Sequence, residues 1–372
     1  MGNVNLAQAK NAKNDEFYTQ WADIEREIQA YLEFDPDVFR GKTVFCPCDD
    51  PYESNFFKYF ALAFNDFGLK KLIATCYAGS PISNTQLSLF TDEPVEDRTT
   101  KAPHKLEVVE LSDFNNDGAT DLLDIQWILE NKKNALTRLD GDGDFRSEEV
   151  KKLRDESDII VTNPPFSLFR DFIAWLVEQS KQFLVIANMN AITYKEVFPL
   201  IKDNQIWLGA TGNGNDMVFS VPNGVEVAVK DKAKAARLGY VGDYTRLGNS
   251  CWLTNIDHGR RHLPMQFMTM ADNLKFSRHK DLRGKASYDR YDNYNAIEVP
   301  YVDAIPSDYD GVMGVPVSFL DKYCPEQFVI LGATESEGKG FSNGLWTGSI
   351  AQATINEKRV YKRLFIKHIR EH

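Results

Sequence analysis

The feature that most limits what this chain can fold into is an alternation in its first half. Short apolar runs, "KTVFC" (42–46), "KKLIATCY" (70–77), "DIIVTN" (158–163) and "QFLVIAN" (182–188), are separated by segments whose apolar residues recur at helical spacing. The helical segments are "SNFFKYFALAFNDFG", which runs to Gly68 as a C-cap, "SEEVKKLRDES", opened by a capping box at Ser147, "SLFRDFIAWLVEQS" and "ITYKEVFPLIKDN". Strands and helices in turn predict an α/β fold with a doubly wound, parallel, Rossmann-like sheet, whose ligands sit at the carboxyl ends of the strands. The stripe Phe56, Phe57, Phe60 and Phe64 is expected to pack on that sheet as core. Beyond about Trp207 the chain turns to Gly, Asn, aromatic and basic residues with short strand-like pieces such as "CWLTNI" and "FVILGA". This predicts one domain over 1–207, with an acidic insert at about 85–140, and a mixed α+β domain over 208–372.

The chain has 372 residues and a net charge of −11. That charge opposes binding to a polyanion, yet over residues 230–290 Lys and Arg outnumber Asp, and the acidic surplus lies elsewhere. A basic second half facing a polyanion and two solvated faces of unlike charge both fit this split. No run reaches the ~20 apolar residues of a membrane span, and the first residues lack the apolar centre of a signal peptide. A cytoplasmic protein with no membrane partner is expected. Five cysteines without a C-x-x-C pair indicate neither a disulfide framework nor a zinc site.

The stretch "DIIVTNPPFSLF" carries the chemistry. If Asn163 follows a buried strand, its side-chain carbonyl and the main-chain carbonyl of Pro164 stand at the sheet edge, and the rings of Pro164 and Pro165 hold both acceptors still. Two fixed acceptors suit an exocyclic aromatic amine, a poor nucleophile because its lone pair is delocalised. By taking its hydrogens they draw the nitrogen toward tetrahedral geometry and aim the lone pair at an electrophilic methyl group. Phe166 is then a platform for a flat base. A helix N-terminus with Pro in its first turn would also use these residues.

With "KNDEFYTQ" (13–20), "CPCDDPYESNFFKYF" (46–60), "LIATCY" (72–77), "GDGDFRSEEV" (141–150), "NAITYKEVFPLI" (190–201), "YDNYNAIEVP" and "DYDGVMGVPVSFLDKY" in the same order, the chain resembles the EcoRI-type adenine-specific DNA methyltransferases. The resemblance implies S-adenosylmethionine as cofactor, with Phe17, Tyr18 and Thr19 at its methionine end. It also implies that Cys48, Asp49 and Asp50 form the loop around the cofactor, although the usual G-x-G is missing. Cys76 and Tyr77 stand where an acidic residue commonly holds the ribose, while Asp144 and Phe145 border the cofactor's adenine. For Asp144 a solvated acidic loop is the plain alternative. The order of these elements implies a C-terminal target-recognition domain, duplex DNA as partner, an adenine flipped out of the helix, and a cognate restriction endonuclease in a bacterial or phage setting, at the nucleoid.

The expected reaction is methyl transfer to adenine N6 by direct displacement. Cytosine N4, an amine in RNA or protein, and a non-catalytic DNA- or calcium-binding module are the alternatives. The calcium reading comes from "DFNNDGATDLLD", which places Asp113, Asn115, Asp117, Asp121 and Asp124 at ligand positions of an EF-hand-like loop, with Asp rather than Glu at the twelfth. His258 and His262, beside Arg260 and Arg261, are expected on a DNA-facing loop, and "KRVYKRLFIKHIR" as an edge strand.

Overall fold

The computed structural model describes residues 18–49, 54–76, 103–114, 123–124, 127, 136–211, 217–221, 227–247, 249–334, 344–345 and 352–370. The chain forms two compact units, one of Met1–Ala191 with Gly209–Asp257, the other of Ile192–Leu208 with His258–His372. The division therefore does not fall at 207: the chain leaves the first unit, returns to it, and leaves again.

In the first unit the strands are β1 (Tyr18–Thr19), β2 (Thr43–Cys46), β3 (Lys71–Cys76), β4 (His104–Val108), β5 (Leu136–Arg138), β6 (Ile159–Thr162) and β7 (Gln182–Asn188). After β8 (Trp207–Leu208), which belongs to the second unit, come β9 (Met217–Ser220), β10 (Tyr244–Leu247) and β11 (Ser250–Thr254). A central sheet runs β5-β4-β3-β2-β6-β7-β11, and β1-β9-β10 form a small antiparallel sheet. Pairs β2/β3, β2/β6 and β6/β7 are parallel. The sheet is nevertheless mixed and not uniformly parallel, since β4 and β11 run against the rest. Parallel neighbours need a crossover connection, which helices supply between β2 and β3 and between β6 and β7; β11 arrives straight from β10 without one. "CWLTNI" thus completes the first unit's sheet.

The helices of this unit are α1 (Trp21–Phe34), α2 (Asn55–Leu62), α3 (Glu148–Glu156) and α4 (Phe169–Glu178). Phe56, Phe57, Phe60 and Phe64 are buried in the core as expected, with Phe39 edge-on to Phe60 (5.2 Å) and stacked on Phe67 (5.4 Å). Each such ring contributes about 1.5–3 kcal/mol by leaving water. Helix α2 stops at Leu62, short of Gly68, which closes the following turns at φ +61°. Ser147 does cap α3, accepting from Val150 N–H, but the residue three on is Val150, so no capping box forms. Glu149 instead accepts from the Asp140 and Gly141 N–H groups. Arg154 is buried at the end of α3, where Asp155, Glu178 and the Trp175 carbonyl take its protons at 2.7–2.8 Å.

Helix α1 buries Ile24, Glu27, Ile28 and Tyr31, a helical stripe with a carboxylate in it. Glu27 accepts from the Ala210 and Thr211 N–H groups (2.7 Å each), from the Thr211 hydroxyl and from the Tyr31 hydroxyl (2.9 Å). Burial pushes its carboxyl up to about 7 against these donors. A Cβ on Gly209 would lie 2.2 Å from Glu27 Oε1 and 2.4 Å from Trp252 Cβ, so only glycine allows this approach.

The second unit contains α5 (Phe198–Lys202), β12 (Ile297–Glu298), β13 (Met313–Pro316), β14 (Phe328–Ala333), β15 (Thr354–Ile355), β16 (Lys358–Arg359) and β17 (Arg363–His368). A further helix of the first unit, α6 (Val229–Arg237), lies in its Gly209–Asp257 segment, and α7 (Met270–Phe276) is in the second unit. "ITYKEVFPLIKDN" is helical only over α5, preceded by a 3-10 turn at Met189–Thr193, because Pro199 is tolerated in a first helical turn and not in an interior. The sheet order β12-β13-β17-β14 puts β17 inside, paired on both edges, so the expected edge strand is a central one. Its Arg363 binds Glu298 through two nitrogens (2.6 and 3.0 Å), and Glu298 also accepts from Tyr291.

The His258–His262 segment is held by packing and ion pairs within the second unit. His258 is buried against the Leu208 carbonyl (3.0 Å), Arg261 lies 3.5 Å over the Trp207 ring, Arg260 pairs with Asp321 (2.8 Å) and His262 with Glu326 (2.7 Å). Among the described residues no helix is long and apolar enough to cross a membrane.

Two outcomes are expected. Gly209→Ala should destabilise the protein by about 1–3 kcal/mol in denaturant melts, the usual cost of overpacking. Because the folded Glu27 carboxyl is raised above its unfolded value, its contribution is complete below pH about 4.5 and is lost as pH rises through about 7. The stability of the protein relative to Glu27→Gln should therefore fall across that window, by on the order of 2–3 kcal/mol.

Candidate active site at the ends of β2 and β6

Strand β6 is fully buried between β2 and β7, and Asn163 follows its last residue directly. Asn163 is half-buried and Pro164 buried. Pro165, at φ −55°, caps a 3-10 turn over Phe166–Leu168 that leads into α4. Phe166 is half-buried and packs against the main core, which fixes one side of its ring. Asn163 and Pro164 thus stand directly after a buried strand, at the start of the turn that leads into α4, with Phe166 two residues on.

What holds this turn is a bridge between strands. The Thr162 hydroxyl, on the residue before Asn163, donates to the Pro47 carbonyl and to Asp49 Oδ2, both in the loop after β2. Asp49 Oδ1 accepts from the Ser54 hydroxyl (2.7 Å), and Ser54 caps α2 by accepting from the Phe56 and Phe57 N–H groups. Asp49 is 7% exposed, so these are buried charge-assisted bonds. One residue further, Asn55 donates to the Thr19 carbonyl at 2.8 Å. A single path therefore joins Asn163, Asp49 and Thr19.

The loop after β2 has no glycine, yet Cys48 takes φ +65°, the left-handed conformation that a Gly-rich loop would supply. Thr19 is 2% exposed and pairs with Phe219 of β9; its hydroxyl has no hydrogen-bond partner among the described residues. An orphaned buried hydroxyl at this point fits a polar ligand group. Tyr18 opens β1 and Cys76 ends β3, both placed by their backbone alone, while Phe17, Asp50 and Tyr77 lie outside the described residues.

"GDFRS" packs on the helix that leaves the Asn163 turn. Phe145 is buried edge-on to Phe172 (5.1 Å) and Trp175 (5.7 Å) of α4. Arg146 donates to both oxygens of Asp144 (2.8 and 2.6 Å) and lies 3.7 Å from Asp171 of α4. The Arg146 bond holds the Asp144 carboxyl below its usual range, so Asp144 stays an ionised acceptor.

For the calcium reading, Asn115, Asp117 and Asp121 lie outside the described residues. Asp124, the twelfth position, is buried and accepts from Phe114 N–H (2.7 Å), and Asp113 stands just before it. Among the described residues no three His, Cys, Asp or Glu side chains are grouped to hold a metal.

Sequence reasoning passed over Thr162, Ser54 and Asn55. Their signals are faint ones: a hydroxyl in the last position of an apolar run, and an N-cap Ser before "NFF".

The sequence model of the family described as "Adenine-specific methyltransferase EcoRI" matches residues 5–369. The chain belongs to this family. It is 40% identical over 373 residues to the Type II methyltransferase M.EcoRI of Escherichia coli, covering 98% of this chain and 96% of the other. It is 33% identical to the Type II methyltransferase M.MpnI of Mycoplasma pneumoniae, covering 87% and 84%. Against the Type II methyltransferase M.MgeORF184P of Mycoplasma genitalium it is 31% identical, covering 97% of each. No solved structure matches the chain. Membership makes it an adenine-specific methyltransferase, with S-adenosylmethionine as methyl source.

Thr162→Val removes the bond to Asp49 and keeps the shape. Methyl transfer by this variant should fall roughly 10–100-fold through misplacement of Asn163, while Thr162→Ser retains most activity and DNA affinity is unchanged. Single-turnover assays with labelled cofactor read the difference.

Proposed function

We propose that the chain methylates N6 of an adenine flipped out of duplex DNA at a specific site, as the modifying partner of a restriction endonuclease in a bacterial cytosol. The observation that carries this reading is the path from Asn163 through Thr162 and Asp49 to Asn55 and Thr19, which lies at the carboxyl ends of β2 and β6. In a Rossmann-like methyltransferase that edge is where the methyl donor and the acceptor base meet. The three relatives named as Type II methyltransferases support a role beside a restriction enzyme.

The roles follow from chemistry. When bound, the cofactor supplies a methyl group made electrophilic by its sulfonium. Asn163 Oδ1 and the Pro164 carbonyl accept the two hydrogens of the adenine amine, localising its lone pair for in-line attack, and the extra proton leaves to solvent after transfer. Phe166 stacks on the extruded base, worth about 1–3 kcal/mol against an unstacking cost of a few kcal/mol. Thr19, with Phe17 and Tyr18, holds the methionine end of the cofactor. Cys48, Asp49 and Asp50 shape the loop beneath it, and Cys76 and Tyr77 border the ribose. Asp144, kept ionised by Arg146, accepts from the cofactor's adenine amine beside Phe145. The second unit acts in target recognition.

Plasmid DNA treated with the protein and labelled cofactor should acquire N6-methyladenine within one short sequence. Asn163→Ala should lower transfer by about 100-fold or more with cofactor binding intact. Full activity in that variant would overturn the amine clamp.

A further inference from the structure

We infer that the β15–β16 hairpin and the residues leaving it form a rigid arm that grips the sugar–phosphate backbone of duplex DNA. The inference rests on duplex DNA being the substrate and adds the surface that holds it.

The hairpin is a built feature. Pairing of Thr354 with Arg359 and Ile355 with Lys358 leaves Asn356 and Glu357 as a two-residue turn, at φ +49° and +63°. Such left-handed pairs favour Asn-Gly, and Glu there is strained. A hairpin with two residues per strand is also not stable alone. External bonds hold it instead. Asp292 accepts from the Asn356 and Glu357 N–H groups (3.1 and 2.9 Å), while Asn293 accepts from Thr354 N–H (3.1 Å) and donates to the Gln352 carbonyl (2.7 Å). Ile355 and Val360 pack on the Tyr291, Tyr294 and Phe365 cluster.

Since side chains alternate along an extended strand, inward Val360 leaves Arg359 and Tyr361 facing out. Tyr361 is 80% exposed, Arg359 is exposed on the same side, and Lys358 is exposed next to the turn. The side chains of the three make no hydrogen bond or ion pair with any other residue described, although the Tyr361 carbonyl accepts from Arg363. In the basic segment 230–290, Lys232, Lys234, Arg260, Arg278 and Lys285 are each held by an aspartate at 2.6–3.2 Å, while Lys230, Arg237, Lys280 and Arg283 have no such partner among the described residues. What sets the hairpin apart is its pinning. A chain with 54 acidic and 43 basic residues has carboxylates to spare, yet leaves two cations and a tyrosine uncompensated on a pinned, strained turn. Cations with an exposed phenol match phosphates and the sugars between them.

The test is the salt dependence of binding to a labelled duplex bearing the methylation site, measured by anisotropy with full-length protein. Lys358→Ala/Arg359→Ala should weaken binding about tenfold or more at moderate salt and make the slope of log K against log salt shallower by about 2, near 0.9 per lost phosphate contact. The methylation rate at saturating DNA and the melting temperature should match wild type. Tyr361→Ala should weaken binding with the slope unchanged. A double variant with wild-type affinity and slope would overturn the arm. Wild-type protein that bound no duplex would instead overturn the substrate reading, and the arm with it.

Discussion

The turn that carries Asn163 depends on a carboxylate shared by two hydroxyls. Asp49 accepts from Thr162 on one side and Ser54 on the other, and it does so where water is excluded. Each buried hydrogen bond to the carboxylate contributes about 1.5–3 kcal/mol. Both together tie the end of β6 to the loop after β2 and to the start of α2. The proline pair then needs only to stiffen a turn whose root is already fixed. In the proposed reaction such rigidity would have a use, because acceptors set before the amine arrives need not reorganise during transfer.

Elsewhere the protein treats buried charge in the same manner, by surrounding it. Arg154 is enclosed by two carboxylates and a carbonyl, and Glu298 by Arg363 and Tyr291. These groups lie off the catalytic edge and serve packing. Their partners are consumed within the fold, so net charge alone says little about where a polyanion can land. The useful quantity is which cations keep their charge unanswered.

Much of the first unit was legible in the sequence. Strands β2, β3, β6 and β7 announced themselves as apolar runs, and Ser147 and Pro165 marked the starts of turns that do form. The Asn163 turn was readable as a turn because it closes an apolar run with two prolines. Nonlocal choices were not readable. Nothing near residue 251 says that β11 joins β7 rather than a second domain, and nothing in "KRVYKRLFIKHIR" says that β17 is flanked on both sides. Glu27 was hidden for the same reason. A carboxylate in an apolar stripe makes sense only once the Gly209–Thr211 backbone, more than 180 positions away, is laid against it.

That distance has a consequence for how the protein is made. When residue 191 has left the ribosome, β7 has no neighbour on its outer side and Glu27 has no donors from 210 and 211. The acid meets its donors once residue 211 has emerged, but the strand edge stays unpaired until residue 254 has, by which time Ile192–Leu208 of the other unit is already out. The nascent chain therefore carries the desolvated acid through about twenty residues of synthesis, from 191 to 211, and the open edge through about sixty-three, from 191 to 254, and a fragment ending near 207 would keep both permanently.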